Sequence, residues 1–384
     1  MANRDVPTTK QTREVDFGKR SGLRVFPVSI GAMRLPDEEL AIPLIRQAID
    51  AGMVYIDTCR GYGDSEIKIA KPLKDGYREK VILSTKWCPW NLKVEPDDDT
   101  SAQCTYKRIL ESMERLDVDY LDFYQIWSIN DFEDYQQATC KAGMLDGIRR
   151  AKDEGLIKHI GFTTHDTPEN IRKYIDEADW CETILFTHNI FNPTSKDIIA
   201  QTHEKGIATL VMNPLAGGLL AQKSPVLQKA VFGAVGIKDV VEAAHRYLAG
   251  DENIDTILCG INKPSDITAT IENYSKPPLT GQQRKDLEEV MSRMSSKGMG
   301  FCTACRYCMP CPEGINVPGM MNIVYLDRFL QMSERAGGFY ERRVNPENSP
   351  VRCTKCGQCE DTCTQHLKIT EELEYLLERF GKKD

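Results

Sequence analysis

Nowhere in its 384 residues does the sequence hold an apolar run long enough to cross a bilayer, for which about 20 residues are needed. The amino terminus, Met1 to Glu14, is polar and lacks the apolar core of a secretion signal. No Lys/Arg-rich block occurs, and the formal net charge is -8, which sets nucleic acid aside as a partner. Solenoid-type repeats and low-complexity tracts are also missing. The expectation is a cytoplasmic chain with a small-molecule substrate and no membrane attachment. Its length is too great for one small domain, so two are expected.

Cysteine is scarce over most of the chain and then abundant. Six of the 14 lie in residues 1 to 300, and eight crowd into the rest at regular spacing. Cys302, Cys305, Cys308 and Cys311 are separated by two residues each, with Pro312 following; Cys353, Cys356, Cys359 and Cys363 are separated by two, two and three. In an intracellular chain such runs point to metal or cofactor ligation, because disulfides are disfavoured there. Three thiolates at consecutive C-x2-C steps wrap one compact object, which favours two [4Fe-4S] clusters. A structural zinc, usually held by two separated C-x2-C pairs, and redox-switching thiols are the competing readings. Cys59, Cys88, Cys104, Cys140, Cys181 and Cys259 read as packing residues, with Cys59 in a candidate site loop.

Before the cysteine runs the chain alternates between two periodicities. Apolar runs at 28–32, 54–57, 81–85, 120–127, 157–163, 183–186, 207–212 and 256–259 read as strands. Helical spacing separates them, as in Leu44, Ile45, Ala48 and Ile49, or Ile109, Leu110, Met113 and Leu116, or after Thr167-Pro168. A short hairpin over 13–17 and 22–26 precedes the first strand. Eight strands alternating with helices over about 250 residues suit a closed (β/α)8 TIM barrel, with an open doubly wound sheet as the competitor. Pro277-Pro278 and Thr280-Gly281 read as a linker, giving expected domains at 1–279 and 280–384. Parallel strands present their carboxyl ends to ligands. Asp57 ends one such run, just before a loop carrying Tyr62 between Gly61 and Gly63, and the next run delivers Lys86.

Several ordered motifs cover most of this region: G-A-M-R-L-P at 31–36, I-D-T-C-R-G-Y-G-D-S-E at 56–66, S-T-K at 84–86, S-M-E-R-L-D-V-D-Y-L-D-F-Y at 112–124, I-G-F-T-T-H at 160–165 and N-P-L-A-G-G at 213–218. Over residues 13–275 the chain resembles the aldo/keto reductases. That resemblance implies the barrel and the reduction of a carbonyl by hydride from NADPH through an Asp, Tyr, Lys and His tetrad. Tyr62 would be the general acid, Lys86 the cation beside it and Asp57 the acid that anchors the lysine. A free phenol has a pKa of about 10, and a neighbouring ammonium favours its phenolate, as proton transfer near neutral pH requires. The family histidine is replaced by Trp127, whose indole N–H can donate but cannot shuttle a proton. Trp127 either fills the pocket floor or stacks on a flat substrate. His165, past the next strand, is either a partial substitute or a hydrogen-bonded bystander.

The same resemblance names cofactor contacts. Thr163 and Thr164 align with the pair that holds the nicotinamide carboxamide, His188 with its glutamine partner, and Met212 with the stacking tyrosine. Met33, Arg34 and Asp57 are further expected contacts. Pro214, Leu215, Gly217, Gly218 and Leu219 match the glycine-containing pyrophosphate loop, where backbone N–H groups can approach closely. Lys263, Glu272 and Asn273 match near the adenine, while Ala269 stands where an arginine for the 2′-phosphate is often found. NADP(H) is the expected nicotinamide, with NAD(H) and a flavin left open.

The tail resembles the bacterial two-cluster ferredoxins, in which the fourth cysteine of each run ligates the other cluster. Carried over, Cys302, Cys305, Cys308 and Cys363 hold one cluster; Cys353, Cys356, Cys359 and Cys311 hold the second. The first run has two residues before its fourth cysteine where three are usual, and Thr364 replaces a proline. The whole chain thus resembles aldo/keto reductases that carry a mostly helical, ferredoxin-like iron–sulfur domain. The expected function is oxidation or reduction of a carbonyl or conjugated small molecule, with electrons relayed by the clusters and exchanged with a ferredoxin or flavoprotein. Clusters move one electron and nicotinamide a hydride, so a direct link needs a two-electron junction such as a flavin or the substrate. A plain NADPH-dependent carbonyl reductase with a structural cluster domain, and a non-enzymatic redox or iron sensor, are the alternatives.

Overall fold

Runs of β-branched and aromatic residues bounded by glycine and polar turns fold as strands when both faces can be buried. In the computed structural model, which describes residues 14–295, 302 and 305–381, all eight expected runs do so, with ends shifted by one or two residues. A small antiparallel hairpin, β1 (Val15–Asp16) and β2 (Arg24–Val25), comes first. Then follow β3 (Val28–Gly31), β4 (Tyr55–Asp57), β5 (Ile82–Trp87), β6 (Leu121–Ile129), β7 (Ile157–Thr164), β8 (Thr183–Thr187), β9 (Ala208–Met212) and β10 (Thr256–Cys259). They pair in parallel in chain order, and β10 pairs back to β3, so the sheet closes. Closure excludes the open sheet and gives a (β/α)8 barrel, whose strand carboxyl ends share one rim.

The opposite end is plugged by the hairpin. Phe17 is fully buried, with its ring 5.2 Å from that of Tyr55 and 5.5 Å, edge-on, from that of Phe123. Tyr55 opens β4 and Asp57 closes it, so the strand has its aromatic plug at the floor and its acid at the rim. Gly18 adopts φ +60°, and its N–H donates to the buried Asp255 carboxylate at 3.1 Å. A Cβ there would lie 2.5 Å from Ala208 N, so both space and backbone conformation require glycine.

Helix Ala102–Leu116 starts where Ser101 accepts from Cys104 N, and it buries Ile109, Met113 and Leu116. Leu110, expected on that face, is 42% exposed. One residue past Ile109 turns the side chain about 100° around the axis, off the buried stripe. Helix Pro168–Glu177 begins at the Thr167-Pro168 cap that the sequence advertises. Two stretches that carry no strong periodicity are also helical, Phe132–Thr139 capped by Asp131 and Pro225–Val235 capped by Ser224.

The described chain divides into two compact units. One takes the chain as far as His188, with Asn192–Pro214 and His245–Pro278; the other takes Asn189–Phe191, Leu215–Ala244 and the chain from Leu279 onward. In the second unit, helix Pro225–Val235 packs on Gly281–Ser295, and Ser224 Oγ donates to Leu330 O at 3.0 Å. Its core is built by Val317–Val324, a π turn at Tyr325–Phe329 and helix Ile369–Phe380, which bury Met320, Met321, Val324, Leu373 and Leu376. The C-terminal part is thus mostly helical. Among the described residues, no helix is long and apolar enough to cross a membrane.

Because Phe17 is enclosed by two aromatic rings, Phe17→Ala is expected to cost about 3 to 5 kcal/mol. Urea denaturation of the two proteins side by side measures it.

Candidate functional site

At the barrel rim, β4 and β5 are neighbours in register, with Asp57 opposite Ser84 and Lys86 two residues further along. The period of two along β5 turns Lys86 to the same side as Ser84. There the Lys86 ammonium donates to the Asp57 carboxylate and, at 2.8 Å, to the Thr58 carbonyl. Lys86 is 1% exposed and Asp57 3%. Burial pushes the Asp57 carboxyl up from its ordinary value, and the Lys86 charge is the main opposing influence. Gln125 Nε2 completes the set, donating to Asp57 Oδ1 at 3.1 Å and to Ser84 Oγ at 2.8 Å.

Tyr62 reaches the same place from the loop after β4. Lys86 Nζ lies 5.1 Å from the centroid of its ring, which is half-buried. Trp127 packs edge-on against that ring, with centroids 6.0 Å apart and planes at 87°. The loop passes so close to Trp127 that a Cβ on Gly61 would sit 2.5 Å from the indole. Trp127 itself is aimed by an irregularity in β6: the register shifts between Ile126 and Ile129, and Ser128 takes φ +55°. Thr163 Oγ1 accepts from Ser128 N at 2.6 Å, and Trp90 Nε1 donates to Ser128 O at 2.8 Å. Asp57, Tyr62, Lys86 and Trp127 are therefore gathered at one rim position.

The Tyr62 loop is clamped from outside. Arg60 pairs with Glu111 at 2.5 Å, and Arg115 donates to the Gly63 carbonyl at 2.6 Å and to Glu66 at 2.8 Å. Glu66, fully buried, accepts from Thr85 Oγ1 at 2.8 Å, next to Lys86. Cys59 is buried, its thiol pushed up by burial and donating to Lys86 O at 3.2 Å. Sequence reasoning missed Gln125, although counting back by two from Trp127 places it on the same strand face. It also missed Arg60, Glu66 and Arg115, whose partners lie on a helix about 50 residues away.

The expected nicotinamide contacts are distributed unevenly. Thr164 Oγ1 donates to Ile129 O at 2.9 Å and accepts from Asp166 N, so its hydroxyl proton is turned back to the backbone. Thr163 accepts from Ser128 N and keeps its own proton for another acceptor. His188 is buried and stacked on Tyr247 at 5.9 Å, while Met212 is half-buried at the end of β9. Met33 and Arg34 lie in a turn after β3 that Ser65 Oγ holds through Ala32 O at 2.8 Å. The loop after β9 has positive φ at Asn213, Ala216, Gly217 and Gly218, and Gly218 N donates back to Leu215 O at 2.9 Å. Lys263 caps helix Pro264–Ser275, and Glu272 and Asn273 sit near its far end, about 14 Å along the axis.

His165 is half-buried, with Nδ1 3.2 Å from Thr187 Oγ1, and burial pushes its imidazole down to about 4.

In the second unit, Cys302, Cys305, Cys308 and Cys363 line one cavity of about 330 Å³, counting its open mouth. Cys311, Cys353, Cys356 and Cys359 line another of about 400 Å³, which Cys308 also borders. Each cavity thus combines three cysteines of one run with the fourth of the other. Burial, then the charge of Cys305, Cys302 and Cys363, pushes the Cys308 thiol up to about 12; burial, then Glu360, pushes Cys359 up to about 11. Such thiols ionise together only around a strongly cationic group, and the donor sets fit iron–sulfur clusters. Tyr325 Oη accepts from Cys302 N at 2.8 Å.

This geometry defines a barrel oxidoreductase that carries an iron–sulfur domain. The family model described as the aldo/keto reductase family matches residues 27–292, and one described as a 4Fe-4S dicluster domain matches 301–367. The chain belongs to the aldo/keto reductase family. It is similar to L-galactose dehydrogenase of Arabidopsis thaliana, 27% identical over 298 residues, covering 70% of this chain and 91% of that protein. Aldo-keto reductase YhdN of Bacillus subtilis is 25% identical, covering 69% and 87% respectively. Among solved structures, the holo form of aldo-keto reductase AKR11C1 from Bacillus halodurans shares the fold with TM-score 0.63 at 22% identity, over 73% of this chain and 96% of that one.

A histidine held neutral by burial binds its proton more weakly in the folded chain than in the unfolded one. Between about pH 6.5 and about 4 the unfolded state therefore takes up more protons, and stability falls as pH is lowered through that window. His165→Asn is expected to flatten this slope in denaturation curves recorded across the window.

Proposed function

We propose that this oxidoreductase interconverts a carbonyl and an alcohol, or reduces a conjugated small molecule, at the barrel rim, using a nicotinamide cofactor and exchanging electrons with two [4Fe-4S] clusters. The buried Lys86–Asp57 pair beneath the Tyr62 ring carries the reading. When bound, nicotinamide supplies hydride, with NADP(H) the first expectation and NAD(H) the second, and the clusters supply single electrons.

The chain's own residues manage the proton and the geometry. Tyr62 gives its proton to the substrate oxygen, and the Lys86 ammonium stabilises the negative charge left on the phenol. Asp57 and the Thr58 carbonyl hold Lys86 in place, while Gln125 orients Asp57. Trp127 excludes water behind the phenol, and because indole cannot relay a proton, Tyr62 acts as the single proton donor. Met33, Arg34, Thr163, Thr164, His188 and Met212 would face the nicotinamide end. Pro214, Leu215, Gly217, Gly218 and Leu219 would face the pyrophosphate, and Lys263, Glu272 and Asn273 the adenine. Cys302, Cys305, Cys308 and Cys363 would hold one cluster; Cys311, Cys353, Cys356 and Cys359 would hold the other. The physiological partner is a small-molecule substrate together with an electron-transfer protein.

Tyr62→Phe is expected to lower kcat for carbonyl reduction by about 10²- to 10⁴-fold while nicotinamide binding persists. A parent-like rate across a panel of aldehydes and ketones, assayed anaerobically with NADPH and NADH, sinks the proposal. Cys356→Ser is expected to remove about half of the iron and to abolish dye-coupled turnover. Retention of the dye-coupled rate assigns the clusters a structural part.

A further inference from the structure

Helix Ala102–Leu116 buries Ile109, Met113 and Leu116, and on the same face it buries a charge that the chemistry at the rim does not use. Arg108 is 2% exposed and reaches two carboxylates at once. Its Nε and Nη2 donate to Asp98 Oδ1 at 3.2 and 2.9 Å, and its Nη1 donates to Glu111 Oε2 at 2.5 Å. The other oxygen of each acid is committed to a different loop. Glu111 Oε1 accepts from Arg60, in the loop that carries Tyr62, at 2.5 Å. Asp98 Oδ2 accepts from Val94 N at 2.6 Å and from Glu95 N at 3.1 Å, in the loop after β5. One guanidinium therefore ties the loop after β4 to the loop after β5.

The second of these loops also reaches the site. Trp87 Nε1 donates to Leu92 O at 2.9 Å and Leu92 N to Cys88 O at 3.3 Å, which closes the turn that carries Trp90. Trp90 Nε1 in turn holds Ser128 O, one residue past Trp127. The loop bearing the phenol and the loop that steadies the indole packed on it thus meet at Arg108. Glu95 Oε2 lies 3.3 Å from Arg108 and is itself paired with Lys107, so the bonded set holds three cations and three carboxylates and is balanced. A leucine at 108 would fill this helix face without the cost of burying a charge, so packing does not account for the arginine. What the arginine adds is a planar fork whose donors serve two acids at fixed angles, which a single ammonium cannot do.

The geometry points to Arg108 as a positioning residue of the rim site. Through Glu111 and Arg60 it fixes the loop that holds Tyr62 beside Lys86, and through Asp98 it fixes the loop whose Trp90 steadies the strand end at Trp127. The inference rests on the reading of Tyr62 as proton donor and extends it to a helix behind the strands. Arg108 acts on the reaction through Tyr62. The leverage is large, because a misplacement of about 1 Å in a reacting group can cost about 10²-fold in rate.

The test is Arg108→Lys in the anaerobic holoprotein, which keeps the charge but leaves an ammonium that serves one acid or the other. With NADPH and a carbonyl substrate, kcat is expected to fall about 10- to 100-fold while KM for NADPH is unchanged. Placed on Tyr62→Phe, the substitution is expected to add little to the loss that Tyr62→Phe causes alone, since both act on one proton transfer. Amide hydrogen exchange is expected to quicken at Val94 and Glu95, and at Gly61, whose N–H donates to Cys59 Sγ at 3.3 Å, while β7, β8 and β9 stay parent-like. Should Arg108→Lys not fold, Glu111→Gln removes one of the two acceptor oxygens and is expected to give the same kcat loss and faster exchange at Gly61. With Tyr62→Phe slowed as expected, a parent-like kcat, an equal fold-loss in the parent and Tyr62→Phe backgrounds, or exchange that quickens over the whole barrel overturns the positioning role. If exchange quickens only in the two loops but Tyr62→Phe reduces carbonyls at the parent rate, Arg108 stands as the tie between the loops and the Tyr62 reading fails.

Discussion

The candidate site depends on an ammonium and a carboxylate buried together at the ends of two adjacent strands. Taking Lys86 and Asp57 out of water is costly, and removing one partner of such a pair typically costs about 3 to 5 kcal/mol because the other charge is stranded. The cost is tolerable because the Thr58 carbonyl and the Gln125 amide supply the remaining hydrogen bonds. Barrel closure is what holds the two strands in register. The hairpin plug at the floor, centred on Phe17, supports that closure from the other end. Tyr62, Trp127 and the arginine clamps are arranged around this pair and would have nothing to act on without it.

A second constraint operates in the helical unit. Four thiols crowd into each of two cavities, and burial, with neighbouring charge, raises the thiols of Cys308, Cys359 and Cys363. The conflict is removed by cationic iron, so the local structure and the cofactor are expected to be interdependent. The same unit recruits the Leu215–Ala244 excursion that leaves the barrel after β9. The glycine-containing loop expected to hold a pyrophosphate, which begins at Asn213, runs into this excursion.

Trp127 stands where the family resemblance implies a histidine. The irregularity in β6 and the absence of a side chain at Gly61 are both fitted to the indole. The indole packs against the Tyr62 ring with the two planes nearly perpendicular and covers that side of the phenol.

Strand number, the barrel and the cysteine runs were legible in the sequence, because a period of two, glycine stops and C-x2-C spacing are local properties. So were the positions of Asp57 and Lys86 at the ends of runs and of Tyr62 in the glycine-punctuated loop that follows Asp57. Leu110 was misread because neighbouring apolar residues on a helix share periodicity to within one step, and only packing shows which one faces inward. Glu66, Arg60 and Arg115 were invisible because their roles are contacts with distant strands and helices, whereas Gln125 was legible only as a position two residues before Trp127 on the same strand face. Likewise, Thr164 was expected to face the nicotinamide carboxamide, and its bond to Ile129 O is a tertiary contact that no local pattern announces. What the sequence alone determined is the order of elements and the chemical types at their ends. Which cysteine of one run lies beside the other run, and which charges meet in the barrel, are settled by chain closure in three dimensions, since those pairs are far apart in sequence and adjacent in space.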